Sequence, residues 1–141
     1  TEIVKSDYVT NEKENLVVSF DQIKKNILSK SFNVIDARSL ERFEGKVSEP
    51  RKGLRSGHIQ NSFCLPFNQC INQKTGEFKN LEELRELFNQ NENIEKRLDQ
   101  VFTCGSGVTA AVLAYAYKMV NNDYIPKIYD GSWSEYGKYP A

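Results

Sequence analysis

The chain has 141 residues, and its 19 Lys and Arg residues balance 19 Asp and Glu residues. This length suits one domain, and a hydrophobic content of 39% with 27% charged residues predicts an ordinary globular fold. The even charge balance argues against a nucleic-acid surface, which usually carries a basic excess. No apolar run is long enough to span a bilayer, so we expect neither nucleic acid nor membrane as a partner.

The cysteines indicate free thiols rather than disulfides or metal ligands. There are three of them, Cys64, Cys70 and Cys104. The number is odd, and the chain is long enough to fold without disulfide bonds. Cys64 and Cys70 are six residues apart, which matches no common zinc spacing, and His58 is the only histidine. The sequence therefore predicts a reducing compartment, no metal site and no cofactor.

Strands alternate with helices along the chain. Residues 1–15 are polar and predict a linker or lead-in, and residues 16–141 then form the domain. Predicted strands cover residues 16–20, 32–38, 62–67, 99–104 and 127–131. Predicted helices cover residues 19–30, with Ser19 as N-cap, and 80–88, 109–120 and 132–137. A charged loop punctuated by glycines covers residues 44–57, and loops of this length are often functional.

This alternation predicts an α/β fold with a mostly parallel sheet covered by helices on both faces. In open parallel sheets, sites form beyond the carboxyl ends of the strands. Asp36, Cys104 and Asp130 each lie at or just after the end of a predicted strand. We therefore expect all three at one edge of the sheet.

Cys104 lies in the stretch CGSGVTA, between a buried strand and a helix. Gly105 and Gly107 allow a tight loop whose N–H groups turn inward, and the following helix adds the N–H groups of its first turn. Such a loop either activates the cysteine as a thiolate or holds an anion on it. The alternative is a small buried side chain at a strand end. Thr109 is predicted as the N-cap of the helix.

A cysteine loop before a helix is also found in phosphatases, which need an arginine late in the loop to clamp phosphoryl oxygens. No arginine lies between Cys104 and Tyr117, and Ala110 follows the cysteine by six residues. The loop therefore disfavours phosphoryl transfer.

Three motifs resemble one known family. CGSGVTA is similar to the active-site loop of the 3-mercaptopyruvate sulfurtransferases of the rhodanese superfamily. VIDARSLERFEGKVSEPRKGLRSGHI resembles the strand, helix and arginine-bearing loop of that family, and IYDGSWSEYG resembles its closing segment. The motifs are in the order of the family, with nearly its spacing, between residues 34 and 137.

The resemblance implies a fold of five parallel strands with helices on both faces. Known members have two rhodanese domains, and this chain resembles the second, catalytic one, so an N-terminal rhodanese domain is an expected partner in the full-length chain. The implied reaction moves sulfur from 3-mercaptopyruvate, through a persulfide on Cys104, to cyanide or to a thiol acceptor such as thioredoxin. Family members occur in cytoplasm and mitochondria.

The resemblance also implies roles for individual residues. Arg42 and Arg51 correspond to the two arginines that bind the substrate. Without the resemblance, each would be interpreted as a solvated surface arginine. Ser106 corresponds to a loop serine proposed to polarise the cysteine or handle protons. The implied active-site loop and supporting residues are Gly105, Gly107, Val108 and Thr109, and Asp36 and Asp130.

Two alternatives remain open. A thiosulfate sulfurtransferase usually carries basic side chains directly after the cysteine, where this chain has Gly105 and Ser106. A non-catalytic rhodanese module often lacks the cysteine, which is present here. The chain departs from the family at Gln60 and Asn61, where proline and glycine are usual, and it lacks the first domain. We therefore expect weak or absent turnover from this chain alone.

Overall fold

The computed structural model describes residues 7–11, 14–90 and 94–140, and it contains a four-stranded parallel sheet. The strands are β1 (Phe32–Asp36), β2 (Ser62–Cys64), β3 (Asp99–Thr103) and β4 (Lys127–Ile128). Their order across the sheet is β2-β1-β3-β4, so β1 pairs with both β2 and β3. Because neighbouring strands run parallel, each connection crosses over the sheet, as the alternating pattern predicted.

In the described residues, one α-helix precedes the first strand and four connect or follow the strands. They are α1 (Phe20–Ser29), α2 (Leu40–Phe43), α3 (Leu81–Asn89), α4 (Val108–Val120) and α5 (Ser132–Tyr136). α1 begins at a capping box in which the Ser19 hydroxyl accepts the N–H of Gln22 and the Gln22 side chain accepts the N–H of Ser19. The predicted cap at Ser19 is therefore confirmed. Asn80 and Glu83 form the same arrangement at the start of α3.

Two hydrophobic clusters lie on opposite faces of the sheet. On one face, Leu84 of α3 and Leu113 of α4 pack in a cluster with Phe102 of β3. On the other, Ile23 of α1 and Trp133 of α5 lie in a cluster with the strand residues Val34 and Val101. Successive side chains of a strand point to opposite faces, so Val101 and Phe102 serve different clusters. The prediction of helices on both faces is confirmed.

The fifth predicted strand, over residues 16–20, is reduced to a single bridge. Glu14–Leu16 forms a 3-10 helix, and Val17 then makes one parallel bridge to Ile128 beside β4. The N–H of Val18 donates to the carbonyl of Ile128 at 2.8 Å. The capping box at Ser19 begins α1 immediately afterwards, so no length remains for a ladder. Part of the predicted lead-in, residues 1–6 and 12–13, lies outside the described residues.

The carboxyl ends of the central strands meet at one edge. Asp36 pairs in register with Thr103 on one side and with Cys64 on the other. The N–H of Ala37 donates to the carbonyl of Thr103 at 2.8 Å, which holds β1 and β3 together to their last residues. The segments that follow β1 and β3 therefore start side by side. No helix within the described ranges combines the length and apolar character that crossing a membrane requires.

Candidate active site

The loop between β3 and α4 encloses the sulfur of Cys104. This residue is 2% exposed, and the N–H of Ser106 points at Sγ from 3.4 Å. Gly107 is the N-cap of α4 and has a φ of +83°, a left-handed conformation that favours glycine. A Cβ on Gly107 would also lie 2.6 Å from Oδ1 of Asp130. The tight turn therefore requires glycine for its backbone angle and for space.

The pKa of Cys104 is lowered even though the thiol is buried. Burial alone opposes ionisation, but the hydroxyl of Thr109 and the backbone N–H groups of Ser106, Ala110 and Thr109 stabilise the thiolate more strongly. Two of these N–H groups belong to the first turn of α4, where backbone donors have no partner within the helix. The loop therefore favours the nucleophilic form of the cysteine.

The pKa values of the other two cysteines are shifted in the opposite direction. Burial raises the pKa of Cys64 to about 12, with the Asp36 carboxylate adding to the effect, and it raises the pKa of Cys70 to about 11. Both are free thiols, and Cys70 is buried in the core. Cys104 is thus the one cysteine of the three whose surroundings favour the thiolate.

Thr109 does not cap α4, and that prediction was wrong. Gly107 is the N-cap, so Thr109 is the second residue of the helix. Helical side chains lean towards the N-terminus, which brings the Thr109 hydroxyl back to the sulfur. Val108, the first helical residue, is 73% exposed at the rim of the loop.

Arg42 and Arg51 converge on the same loop. Arg42 lies in α2, and Arg51 lies in the glycine-punctuated loop that was predicted to be functional. A Cβ built on Gly105 would lie 2.9 Å from Nη2 of Arg42 and 3.7 Å from Nη1 of Arg51. Both guanidinium groups therefore lie against the backbone of the residue that follows the cysteine.

Glu49 holds Arg42 in place. The Arg42 guanidinium donates from Nε to Oε1 of Glu49 at 3.1 Å and from Nη2 to Oε2 at 2.6 Å. The Glu49 carboxylate is 1% exposed and also accepts from Nη1 of Arg38 at 2.9 Å. Burial opposes its ionisation, but the two arginines outweigh burial and lower the pKa of Glu49.

Arg38 anchors this group of charges to the end of β1. Its guanidinium donates to both carboxylate oxygens of Asp36, with the shortest contact at 2.7 Å, and to the carbonyl of Gly57 at 2.8 Å. It also lies 4.5 Å from the ring centre of Trp133. Asp36 is therefore linked to the site indirectly: it binds Arg38, and Arg38 binds Glu49.

Arg38 and Glu49 were not singled out from the sequence. The spacing of Asp36 and Arg38, two residues apart at a strand end, was the one available signal for the first pair. Nothing in the residues around Glu49 separates it from the other charges of its loop. His58 lies at the end of the same loop, where it stacks on Phe43 and its Nδ1 is 2.8 Å from the Phe43 carbonyl.

The segment after β4 closes over the loop. The N–H groups of Trp133 and Ser134 donate to the carbonyls of Cys104 and Gly105, each at 2.9 Å. Asp130 is exposed beside Gly107. The loop is thus held between α4 and α5. In the part of the chain described, no group of three or more His, Cys, Asp or Glu side chains is arranged to hold a metal ion.

Comparison with known proteins shows which family the domain belongs to. The family model described as a rhodanese-like domain matches residues 19–139, which include every residue of the site. The chain belongs to the rhodanese family. The resemblance carried by the three sequence motifs is thereby confirmed.

Two curated relatives are sulfurtransferases by name. The chain is 41% identical over 133 residues to thiosulfate/3-mercaptopyruvate sulfurtransferase 1, mitochondrial, of Arabidopsis thaliana, covering 94% of this chain and 34% of the relative. It is 39% identical over 120 residues to the 3-mercaptopyruvate sulfurtransferase of Homo sapiens, covering 85% of this chain and 39% of the relative. This rhodanese domain therefore spans less than half the length of either relative.

The fold is also that of a solved family structure. The crystal structure of SseA from Escherichia coli, whose description names the rhodanese fold, matches with a TM-score of 0.74 at 30% identity. The match covers 96% of this chain and 48% of SseA. The four strands and both helical layers described here thus belong to a rhodanese-like α/β fold, even though the fifth strand is reduced to one bridge.

Proposed function

We propose that this rhodanese domain transfers sulfane sulfur from 3-mercaptopyruvate to a thiol or cyanide acceptor, through a persulfide on Cys104. The single observation that carries the proposal is a thiol of lowered pKa in a loop against which two arginines converge. The thiol supplies the nucleophile, and the arginines supply the charge that a 2-oxo acid needs for recognition. The names of the two relatives, both 3-mercaptopyruvate sulfurtransferases, support the same donor.

In the first step, the Cys104 thiolate attacks the sulfur atom of 3-mercaptopyruvate. A sulfur–sulfur bond forms and the carbon–sulfur bond of the donor breaks. The electron pair of that bond passes to carbon and gives the enolate of pyruvate, because the neighbouring ketone accepts the charge. The enolate takes up one proton and leaves as pyruvate, and Cys104 retains the persulfide.

Arg42 and Arg51 bind the donor in this scheme. A guanidinium matches a carboxylate through paired hydrogen bonds, and Arg42 keeps N–H groups beyond the two that it donates to Glu49. Arg51 is exposed beside it and contributes a second positive charge. The carboxylate and ketone of the donor therefore lie towards the arginines while its sulfur meets Cys104.

The loop stabilises the charge that remains on sulfur. A persulfide is anionic near neutral pH, and the N–H groups of Ser106, Thr109 and Ala110 surround the position of the thiolate that precedes it. The hydroxyl of Ser106 is proposed to take part in proton transfer to the leaving enolate. Gly105, Gly107 and Val108 shape the loop, and Asp130 supports it beside Gly107.

In the second step, an acceptor thiolate such as that of thioredoxin attacks the outer sulfur. The persulfide bond breaks, its electron pair returns to Cys104 as a thiolate, and the acceptor leaves with the sulfur. Cyanide would take the same sulfur and leave as thiocyanate. The enzyme returns to its starting state without any change in net oxidation, so no cofactor is required by this scheme.

The whole protein is proposed to contain a second rhodanese domain. The chain spans 34% and 39% of the two relatives, and their remaining length leaves room for another domain of this size. If that domain completes the substrate cleft, this chain alone will show slow turnover. The Arabidopsis relative is mitochondrial by name, and a mitochondrial or cytoplasmic location is proposed for this protein.

Thiosulfate is the second candidate donor. The name of the Arabidopsis relative includes both donors. Against thiosulfate, the two residues after Cys104 are Gly105 and Ser106, so the loop itself brings no cation to a dianionic donor. A purely protein-binding rhodanese module is the third candidate, and the lowered pKa of Cys104 counts against it.

Single-turnover release of pyruvate tests the proposal. The chain, with its thiols reduced, is mixed with 3-mercaptopyruvate without an acceptor, and pyruvate is measured against protein concentration. The expected result is release of about one equivalent per Cys104, absent in Cys104→Ser. A protein-binding module would release none, and a thiosulfate enzyme would instead release sulfite from thiosulfate under equal conditions.

A further inference from the structure

The hydroxyl of Ser132 is a meeting point of buried hydrogen bonds behind the cysteine loop. Its Oγ accepts the N–H of Cys104 at 3.1 Å and the N–H of Gly107 at 3.0 Å. It donates to the carbonyl of Tyr129 at 2.8 Å, and the Thr103 hydroxyl approaches it at 3.3 Å. Ser132 is fully buried. One oxygen atom therefore joins both ends of the loop from Cys104 to Gly107.

Ser132 holds an unusual backbone conformation in order to do this. Its φ of +51° is left-handed, a region that non-glycine residues rarely adopt and that costs free energy. The next two residues, Trp133 and Ser134, donate their N–H groups to the carbonyls of Cys104 and Gly105. The turn at Ser132 thus costs local stability and forms four hydrogen bonds to one loop. Two are accepted by the Ser132 hydroxyl, and two are donated by the N–H groups of Trp133 and Ser134.

These hydrogen bonds determine which backbone groups of the loop face the sulfur and which face away from it. The N–H groups of Cys104 and Gly107 face Ser132, and the carbonyls of Cys104 and Gly105 face the start of α5. The N–H groups of Ser106, Thr109 and Ala110 are then the ones that act on the sulfur. Carbonyl oxygens close to a thiolate would repel it, so their removal to the far side favours the ionised form.

We infer that Ser132 is the positioning residue of the nucleophile, because its hydroxyl fixes the loop with N–H groups towards the sulfur and carbonyls away from it. The inference rests on the proposed role of Cys104 as the reacting thiol. Ser132 acts through the loop backbone and touches neither the donor nor the acceptor. Its loss should therefore change the acidity of Cys104 before it changes the fold.

The test is the pH profile of Cys104 alkylation by iodoacetamide in the wild type and in Ser132→Ala. The modified Cys104 peptide is quantified by mass spectrometry, so reaction at Cys64 and Cys70 does not interfere. The midpoint is expected to rise by about one pH unit, and alkylation at a pH below both midpoints should slow by up to about tenfold. Unlike the absolute rate, the midpoint does not depend on how easily the reagent reaches the thiol.

Ser62→Ala is the matched control. The Ser62 hydroxyl donates to the carbonyl of Ile59, three residues earlier, as the Ser132 hydroxyl does to Tyr129, but at the start of β2. This control should leave the midpoint of Cys104 unchanged. Ser132→Gly is the second variant, because glycine accepts the positive φ that strains alanine, and since it also lacks the hydroxyl it should raise the midpoint as alanine does.

A folded Ser132→Ala or Ser132→Gly protein with the wild-type midpoint would overturn the inference. If neither variant folds while Ser62→Ala does, Ser132 is a requirement of the fold and its positioning role is likewise overturned. These outcomes are independent of sulfur transfer, because alkylation needs no donor. Absence of pyruvate release from the wild type would instead count against the proposed function and would leave the midpoint comparison intact.

Discussion

The Arg42 guanidinium lies against Gly105, so close that a methyl group on that residue would come within 2.9 Å of Arg42 Nη2. The backbone φ of Gly105 is not in the left-handed region, so alanine could adopt it without strain. The glycine is required here for the space it leaves to the arginine. This relationship ties the residue after the nucleophile to the group proposed to bind the donor.

Gly105→Ala should therefore weaken donor binding and preserve the fold. The group that must move is the end of a side chain that Glu49 holds, so the free energy of unfolding should fall by about 1–2 kcal/mol, less than on loss of the Glu49 charge. Displacement of Arg42 removes a charge-assisted contact, and the KM for 3-mercaptopyruvate should rise by about tenfold. Steady-state kinetics and urea unfolding provide the two measurements. An unchanged KM would show that Arg42 does not bind the donor from its present position.

The three cysteines should differ sharply in reactivity. Because the pKa of Cys104 is lowered, its alkylation should reach half its maximum at a lower pH than that of an unperturbed thiol. The pKa values of Cys64 and Cys70, raised to about 12 and about 11, keep both as neutral thiols at pH 7. Peptide mass spectrometry after brief iodoacetamide treatment at pH 7 should find label on Cys104 alone. Equal labelling of Cys64 would contradict this assignment.

The Thr109 hydroxyl should account for part of the acidity of Cys104. Thr109→Val keeps the shape of the side chain and removes the hydrogen bond, so the alkylation midpoint of Cys104 should rise by about one pH unit. Thr109→Ser keeps the hydroxyl and should restore the midpoint. If valine and serine variants behave alike, the hydroxyl does not stabilise the thiolate.

Glu49 should stabilise the fold in a pH-dependent way. Removing one charge from a buried ion-pair group typically costs about 3 kcal/mol, so Glu49→Gln should lower the free energy of unfolding by that order at pH 7. The folded pKa of Glu49 is lowered, so its contribution is fully present above the unfolded pKa of about 4.3. The contribution is lost as the pH falls through the folded pKa. The difference between wild type and variant should therefore shrink below about pH 4.

Glu44→Gln is the matched control for Glu49. Glu44 forms an ion pair with Lys46 at 2.6 Å, but both side chains are exposed. Water screens exposed ion pairs, so they contribute little, and this variant should have nearly the wild-type free energy of unfolding at pH 7. Urea unfolding of both variants, at pH 7 and in an acid series, makes the comparison. Equal losses in the two variants would show that the Glu49 pair is no stronger than a surface pair.

Most of the fold could be predicted from sequence because its signals are local. Buried strands end at Asp36 and just before Cys104, and in a parallel sheet those ends must meet at one edge. The prediction of a fifth strand over residues 16–20 was wrong because Ser19 forms a complete capping box that begins α1 at Phe20. The helix start therefore leaves too few residues for the short apolar run to form a strand.

The site could be predicted only where its chemistry is contained in one motif. The loop after Cys104 contains its own glycines and helix start, so an activated thiol follows from local reasoning. The role of Thr109 was missed because a boundary error of two residues separates a helix cap from a residue that faces the sulfur. Glu49 was missed because ion pairs between residues seven and eleven positions apart leave no periodic pattern in a charged loop.

The mass of the protein after incubation with 3-mercaptopyruvate shows whether Cys104 becomes a persulfide. The chain is reduced, desalted, mixed with the donor, quenched and digested, with Cys104→Ser treated in parallel. We expect the wild type to gain the mass of one sulfur atom, located on the Cys104 peptide, and to lose this outer sulfur on addition of cyanide. A wild type that gains no sulfur, with its Cys104 thiol shown to be free and reduced, would contradict the proposed function.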